Sequence, residues 1–282
     1  MKIAITAEST IDLPEELLKR FDIQILPFTV ILGDEEHLDG EITPQDIYEY
    51  VAKTKVLPKT AAINGETYKE FFEKLLKKYD AIVHFSLSSG ISSACRNAQV
   101  VASEIDNVFV VDTKSLSTGI ALLAIYAREL ADKGASAEEV FQKVSLRIKD
   151  VQTSFVISKL DYMYKGGRCS GVALFGANLL KIRPCIALKD GKMGVHKKYI
   201  GKMEKVITTY SKDILSEFNN PDKKRVFITY STATPEMIEQ ARKAVAEIGF
   251  EEVFETTAGS TITSHCGDNT LGILYINDGG EV

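Results

Sequence analysis

Short apolar runs alternate with amphipathic helical patterns over residues 1–150, and nothing else in the chain restricts its fold as strongly. Lys2 to Thr6, Ile23 to Leu32, the run opening at Ala81 and Asn107 to Asp112 are β-prone and too short for helices. Helix signals fall between them. Asp12-Leu13-Pro14-Glu15 combines a capping Asp, an early proline and a first-turn acid, and Thr43-Pro44-Gln45-Asp46 has the form of a capping box. Further helices are expected from Thr67 to Lys78, Asn97 to Ser103 and Ile120 to Leu130, and Ser136-Ala137-Glu138-Glu139 caps another. Pro58 to Gly65 reads as irregular chain. Strands spaced by helices in this way pair in parallel, because each return crossover needs a helix-length connection.

Beyond Asp150 the pattern changes. Val151 to Val156 is strand-like, Lys165-Gly166-Gly167-Arg168 is a turn, and Asp190-Gly191 within Cys185 to His196 is a two-residue hairpin signal. Helices at Lys202 to Phe218 and Pro235 to Ile248 interleave with strands at Val226 to Tyr230, Glu252 to Thr256 and Leu271 to Ile276. A chain of 282 residues can build two cores. The expected organisation is therefore an α/β domain with a parallel sheet over residues 1–150, followed by an α+β domain with a mixed, largely antiparallel sheet over 151–282.

The stretch from Ala81 to Ala94 carries the chemistry. Its apolar first half ends at Leu87, and Ser88-Ser89-Gly90-Ile91-Ser92-Ser93 then leads into a helix-like run. A strand that delivers hydroxyls to a helix start offers an anion both O–H and backbone N–H donors. A net charge of −5 gives no global attraction to nucleic acid or anionic membranes, so anion recognition must be local. Cys95, Cys169, Cys185 and Cys266 form no C-x-x-C pair, and the four histidines have no metal-ligand spacing; no metal or cofactor is implied. No run approaches the ~18 apolar residues of a membrane span. A cytoplasmic location is the default.

Four segments stand in a definite order: Lys59-Thr60-Ala61-Ala62-Ile63-Asn64, Ser88 to Ala94, Leu160 to Arg168, and Gly259 to Gly267. Together with Glu8-Ser9-Thr10 and the run Leu180 to Pro184, this set resembles the DegV family of bacterial fatty-acid-binding proteins over essentially the whole chain. The resemblance implies a protein that buries one long-chain fatty acid and presents it to a separate fatty acid kinase, which makes the acyl phosphate for phospholipid synthesis. Carried over by position, it puts the ligand at Thr60, Ser92, Ser93 and His265, with the Lys-Gly-Gly-Arg turn matched through Arg168. The pattern is altered at several positions. Glu8 stands for Asp, Ser93-Ala94 for Gly-Thr, and Asp268-Asn269 for Pro-Gly, while Ile200 occupies a place where arginine is common. These changes keep the hydroxyls and the imidazole and bear on kinase recognition and chain preference.

The residues support that chemistry on their own terms. Each buried methylene contributes roughly 0.8 kcal/mol, so a tail of about fifteen supplies the affinity and the head group sets orientation. A carboxylate removed from water needs donors, which Thr60, Ser92 and His265 provide. Bland roles are open too: Thr60 as a turn residue, the loop serines as helix caps, and Arg168 as a partner of an acid such as Asp161 or a flank of the head group. His265, between a Gly/Thr/Ser loop and Gly267, suits an accessible ring; His84, mid-strand, suits a satisfied core residue.

Two rival classes are set against lipid binding. A hydrolase built on Ser92, His265 and Asp112 lacks the Gly-x-Ser-x-Gly elbow. A phosphate or nucleotide binder lacks both glycine-rich phosphate motifs, and no lysine follows the serine loop. The reading is a lipid carrier with no catalytic residues of its own.

Overall fold

The computed structural model describes residues 1–170 and 182–280. β1 (Ile3–Glu8) is buried along its whole length, as a strand covered on both faces must be. After α1 (Glu15–Arg20), β2 (Ile23–Leu26) pairs parallel to β1, and the chain leaves this sheet at Pro27. The expected single run Ile23 to Leu32 is thereby split. Proline has no N–H for a ladder, and the remainder becomes β3 (Thr29–Leu32) in a separate sheet. Gly33, at φ +68°, and Asp34 turn it into β4 (Glu35–Leu38), a strand concealed by its Glu-Glu-His composition.

α2 (Pro44–Thr54) opens on the expected capping box, in which Thr43 and Asp46 satisfy each other's backbone N–H. β5 (Lys59–Ala61) then lies where irregular chain was expected and completes the antiparallel order β4-β3-β5, with Thr60 opposite Val30. α3 (Gly65–Leu76), β6 (Ala81–Ser86), α4 (Ala94–Ala102) and β7 (Val108–Asp112) complete the first half. Its parallel sheet has the order β2-β1-β6-β7. Strand order reverses between β1 and β6, so their carboxyl ends open the crevice where α/β sheets take ligands.

α5 (Thr118–Asp132) and α6 (Ala137–Arg147) lead to β8 (Val151–Val156). The turn at Lys165 to Arg168 proves to be the end of a short helix, α7 (Asp161–Gly166), stopped by Gly167 at φ +67°. β9 (Cys169–Ser170) follows. Leu180 and Lys181 of the Leu180 to Pro184 run lie outside the described residues. β10 (Ile182–Lys189) and β11 (Lys192–Ile200) form the expected hairpin, with Asp190 and Gly191 at φ +50° and +78°. Then come α8 (Met203–Glu217), β12 (Arg225–Tyr230), α9 (Pro235–Ala246), β13 (Glu252–Thr257), α10 (Ser260–Cys266) and β14 (Leu271–Ile276). The second sheet is mixed, in the order β13-β12-β14-β8-β10-β11-β9.

α5 explains how the halves are joined. It is apolar on nearly every face because it packs against β1 and β6 of one sheet and β8, β12 and β14 of the other. Buried hydroxyl pairs stitch the same seam: Ser115 to Thr153 at 2.7 Å and Thr118 to Thr229 at 2.6 Å. Gly119 permits the approach, since a Cβ there would lie 2.1 Å from Ser115 Oγ and 2.6 Å from Thr153 Oγ1. One continuous apolar cluster, including Ile5, Ile120, Phe155 and Phe227, crosses residue 150.

Candidate functional site

The serine loop rests on a buried polar anchor. Glu8, at the end of β1, accepts from Tyr68 Oη (2.6 Å), Ser86 Oγ (2.5 Å) and the Leu87 N–H (2.6 Å), and His84 Nε2 stands 3.3 Å away. His84 also pairs with Thr6 Oγ1 at 2.8 Å, so it is a satisfied core histidine as its mid-strand position implied. This anchor fixes the point at which β6 becomes the loop. Ser88 Oγ then donates to the Gly191 carbonyl of the β10–β11 hairpin, while the Ser89 N–H donates to Asp112. None of the loop serines caps α4, whose N-cap is Ser93, through its side chain; as Ser88 Oγ does from Gly90 N–H, Ser92 Oγ accepts from Ala94 N–H at 3.2 Å. That bond uses a lone pair and leaves the Ser92 O–H free to donate. Ser93 is exposed at the helix start, and its side chain makes no cap bond.

The other half of the site is carried by α10. Asp12 Oδ1 accepts from Gly259 N–H and Asp39 Oδ1 from Ser260 N–H, fixing the start of this seven-residue helix. Burial pushes the Asp12 carboxyl up to about 8, against the bonds it receives from Ser117 and Gly259. His265 therefore sits in the last turn of a helix, not in the loop expected for it. Its Nε2 is 2.8 Å from Thr60 Oγ1 on β5. Nδ1 is buried without a hydrogen-bond partner among the described residues, facing Gly166, where a Cβ would come within 2.8 Å of it. The tautomer that strands no buried N–H carries its proton on Nε2 and donates to Thr60, which leaves the Thr60 O–H free to donate onward. Burial, with the Arg168 guanidinium nearby, lowers the ring to about 4, so it is neutral at pH 7.

Arg168 does not pair with Asp161. It donates to the Gly166 carbonyl at 2.6 Å and makes no ion pair among the described residues. All five expected ligand residues, Thr60, Ser92, Ser93, Arg168 and His265, line one cavity of about 610 Å³. Phe28, Leu87, Leu116, Met163, Met193 and Ile262 give it apolar walls, and among the described residues no Asp or Glu lines it. The sequence reading missed Arg96, which lines the same cavity from the first turn of α4. The signal was available: a cation in a first helical turn opposes the helix dipole and needs another reason to be there. Asp112, the acid of the rival triad, is held by Lys114 and Ser89, and His265 bonds Thr60 instead of Ser92. Ile200, exposed at the end of β11, is not among the lining residues.

Among the described residues no helix is long and apolar enough to cross a membrane, and no group of three His, Cys, Asp or Glu side chains could hold a metal. Fold and site together define an α/β protein with a cavity lined by residues from both halves of the chain, its polar wall made of hydroxyls, an imidazole and guanidiniums. The chain belongs to the DegV family: the family model described as "Uncharacterised protein, DegV family" matches residues 2–278. It is 31% identical to a fatty acid-binding protein of Thermotoga maritima, covering 96% of each chain. Its fold matches a DegV family protein from Thermus thermophilus, described for its fatty acid binding, with a TM-score of 0.89, 27% identity and coverage of 98% of this chain and 100% of the other. Bacillus subtilis DegV, described as a fatty acid binding protein, matches with a TM-score of 0.85 at 25% identity, over 99% and 100% of the two chains.

Proposed function

We propose that this protein binds one long-chain fatty acid, tail within the cavity and carboxylate at Thr60, Ser92 and His265, and presents it to a separate fatty acid kinase for conversion to acyl phosphate. The observation that carries the reading is the division of one cavity: apolar walls large enough for an alkyl chain, and donors with no carboxylate beside them among the described lining residues. Two hydroxyls are already oriented, because Ser92 Oγ accepts from Ala94 N–H and Thr60 Oγ1 accepts from the neutral His265 ring. Each retains its O–H for the ligand. Arg168 supplies the charge that compensates desolvation of the head group.

The same bonds support binding without catalysis by this chain. A serine nucleophile needs a base within hydrogen-bond reach, and here the imidazole is committed to Thr60 and Asp112 to Lys114. Phosphorylation of the carboxylate is thus assigned to a partner, with this chain as a cytoplasmic carrier of two domains meeting near residue 150. Native mass spectrometry of protein purified from bacteria tests the reading. A co-purified mass matching a C16 or C18 acid is expected, and a nucleotide mass or labelling of Ser92 by an activated-serine probe would overturn it.

A further inference from the structure

The cavity holds more positive charge than a carboxylate requires. Arg168 is anchored beside His265 through the Gly166 carbonyl, and Arg96, in the first turn of α4 four residues after Ser92, lines the same cavity. Neither guanidinium has an ion-pair partner among the described residues, although several other arginines, including Arg147, Arg225 and Arg242, are paired with acids. In a chain of net charge −5, two arginines without an ion-pair partner among the described residues line a cavity whose described lining contains no acid. Guanidinium suits this task, since its planar array of donors bridges two oxygens of one anionic group.

We propose that Arg96 is a specificity residue for head-group charge: with Arg168 it makes the cavity prefer a dianionic head group to a carboxylate on the same alkyl chain. The proposal rests on reading the cavity as an acyl site. A carboxylate carries one charge on two oxygens, which Thr60, Ser92 and Arg168 satisfy. A phosphoryl group adds a second charge and a third terminal oxygen, for which Arg96 is the donor left over. Arg96 is exposed, so replacing it leaves the core untouched.

The test uses delipidated full-length protein, hexadecanoate and hexadecyl phosphate at pH 8, where a phosphate monoester carries close to two charges. Wild type is expected to bind the phosphate more tightly. Arg96→Gln should weaken the phosphate by about tenfold or more and hexadecanoate by less than about threefold, with Arg96→Lys in between because it restores charge without the fork. Equal losses for both lipids, or no loss for either, would overturn the role of Arg96 while leaving the acyl site standing. Failure of wild type to bind either lipid would overturn the acyl site itself, and this proposal with it.

Discussion

Thr60 Oγ1 and His265 Nε2 lie 2.8 Å apart although 205 residues separate them in the chain. The bond ties β5 of the small sheet to α10 of the second half, and in the proposed acyl site it would order a relay in which the ring donates to the hydroxyl and the hydroxyl to the ligand. Thr60→Val keeps the shape and removes both functions. Thr60→Val and His265→Ala should each weaken retention of a C16 acid by roughly 1.5–3 kcal/mol, the range for hydrogen bonds to charged groups. Because the two act in series, the double variant should lose little more than the worse single one. Competition against a fluorescent fatty acid measures this, and additive losses would show that the residues act separately.

The anchor beneath the serine loop predicts a stability effect. Glu8→Ala strands Tyr68, Ser86, His84 and the Leu87 N–H in a buried site, and breaking such a set typically costs about 3–5 kcal/mol. Glu8→Gln keeps an acceptor of the same shape and should cost clearly less. Urea denaturation of both variants decides the order. If the two fall equally, shape and hydrogen bonding at this position do not matter.

The alternation of β1, β6 and β7 with their helices was legible because each is a short apolar run set off by helical periodicity, and the Asp190-Gly191 hairpin because its turn type demands those residues. β4 and β5 were not, since Glu-Glu-His and Lys-Thr-Ala carry no period; they exist through pairing with β3, a long-range cause. The site shows the same division. Ser92 could be read from a local strand-to-helix pattern, and Thr60 and His265 only through resemblance, for their meeting depends on how β5 and α10 dock. Arg96 was overlooked because the serine loop was searched for lysine, and the helix after it for capping alone.

Two buried groups give opposite pH dependence. His265 is lowered from 6.5 to about 4, so the unfolded state binds the extra proton and stability is lost as pH falls from 6.5 toward 4. Asp12 is raised from 3.8 to about 8, so the folded state keeps its proton longer and stability is lost as pH rises through that window. The two slopes oppose each other below 6.5, and Asp12 acts without that opposition from 6.5 to 8. Asp12→Asn should therefore gain on wild type as pH rises through 6.5–8, by at most roughly 1.4 kcal/mol per unit. His265→Asn should lose its disadvantage, relative to wild type, on going down from 6.5 to 4. Parallel stability curves across pH 4–8 for variant and wild type would show that neither shift operates.

One wall of the cavity, carried by α10 beside His265, bears on the length of tail the cavity can hold. A second, smaller cavity of about 30 Å³, lined by Phe155, Ala258 and Leu274, shares Leu116, Ile262 and Cys266 with the large one, so these three side chains form the partition. Ile262 is the most dispensable of them, being partly exposed where Leu116 and Cys266 are buried. Ile262→Ala removes the bulk of that partition and merges the spaces. Each additional methylene that enters contributes roughly 0.8 kcal/mol, enough for a severalfold change in relative occupancy. Offered an equimolar mixture of C14 to C20 acids, wild type and Ile262→Ala should retain different distributions by native mass spectrometry, the variant's shifted by about one or two carbons toward longer chains. An unchanged distribution would mean that the tail does not pack against this wall.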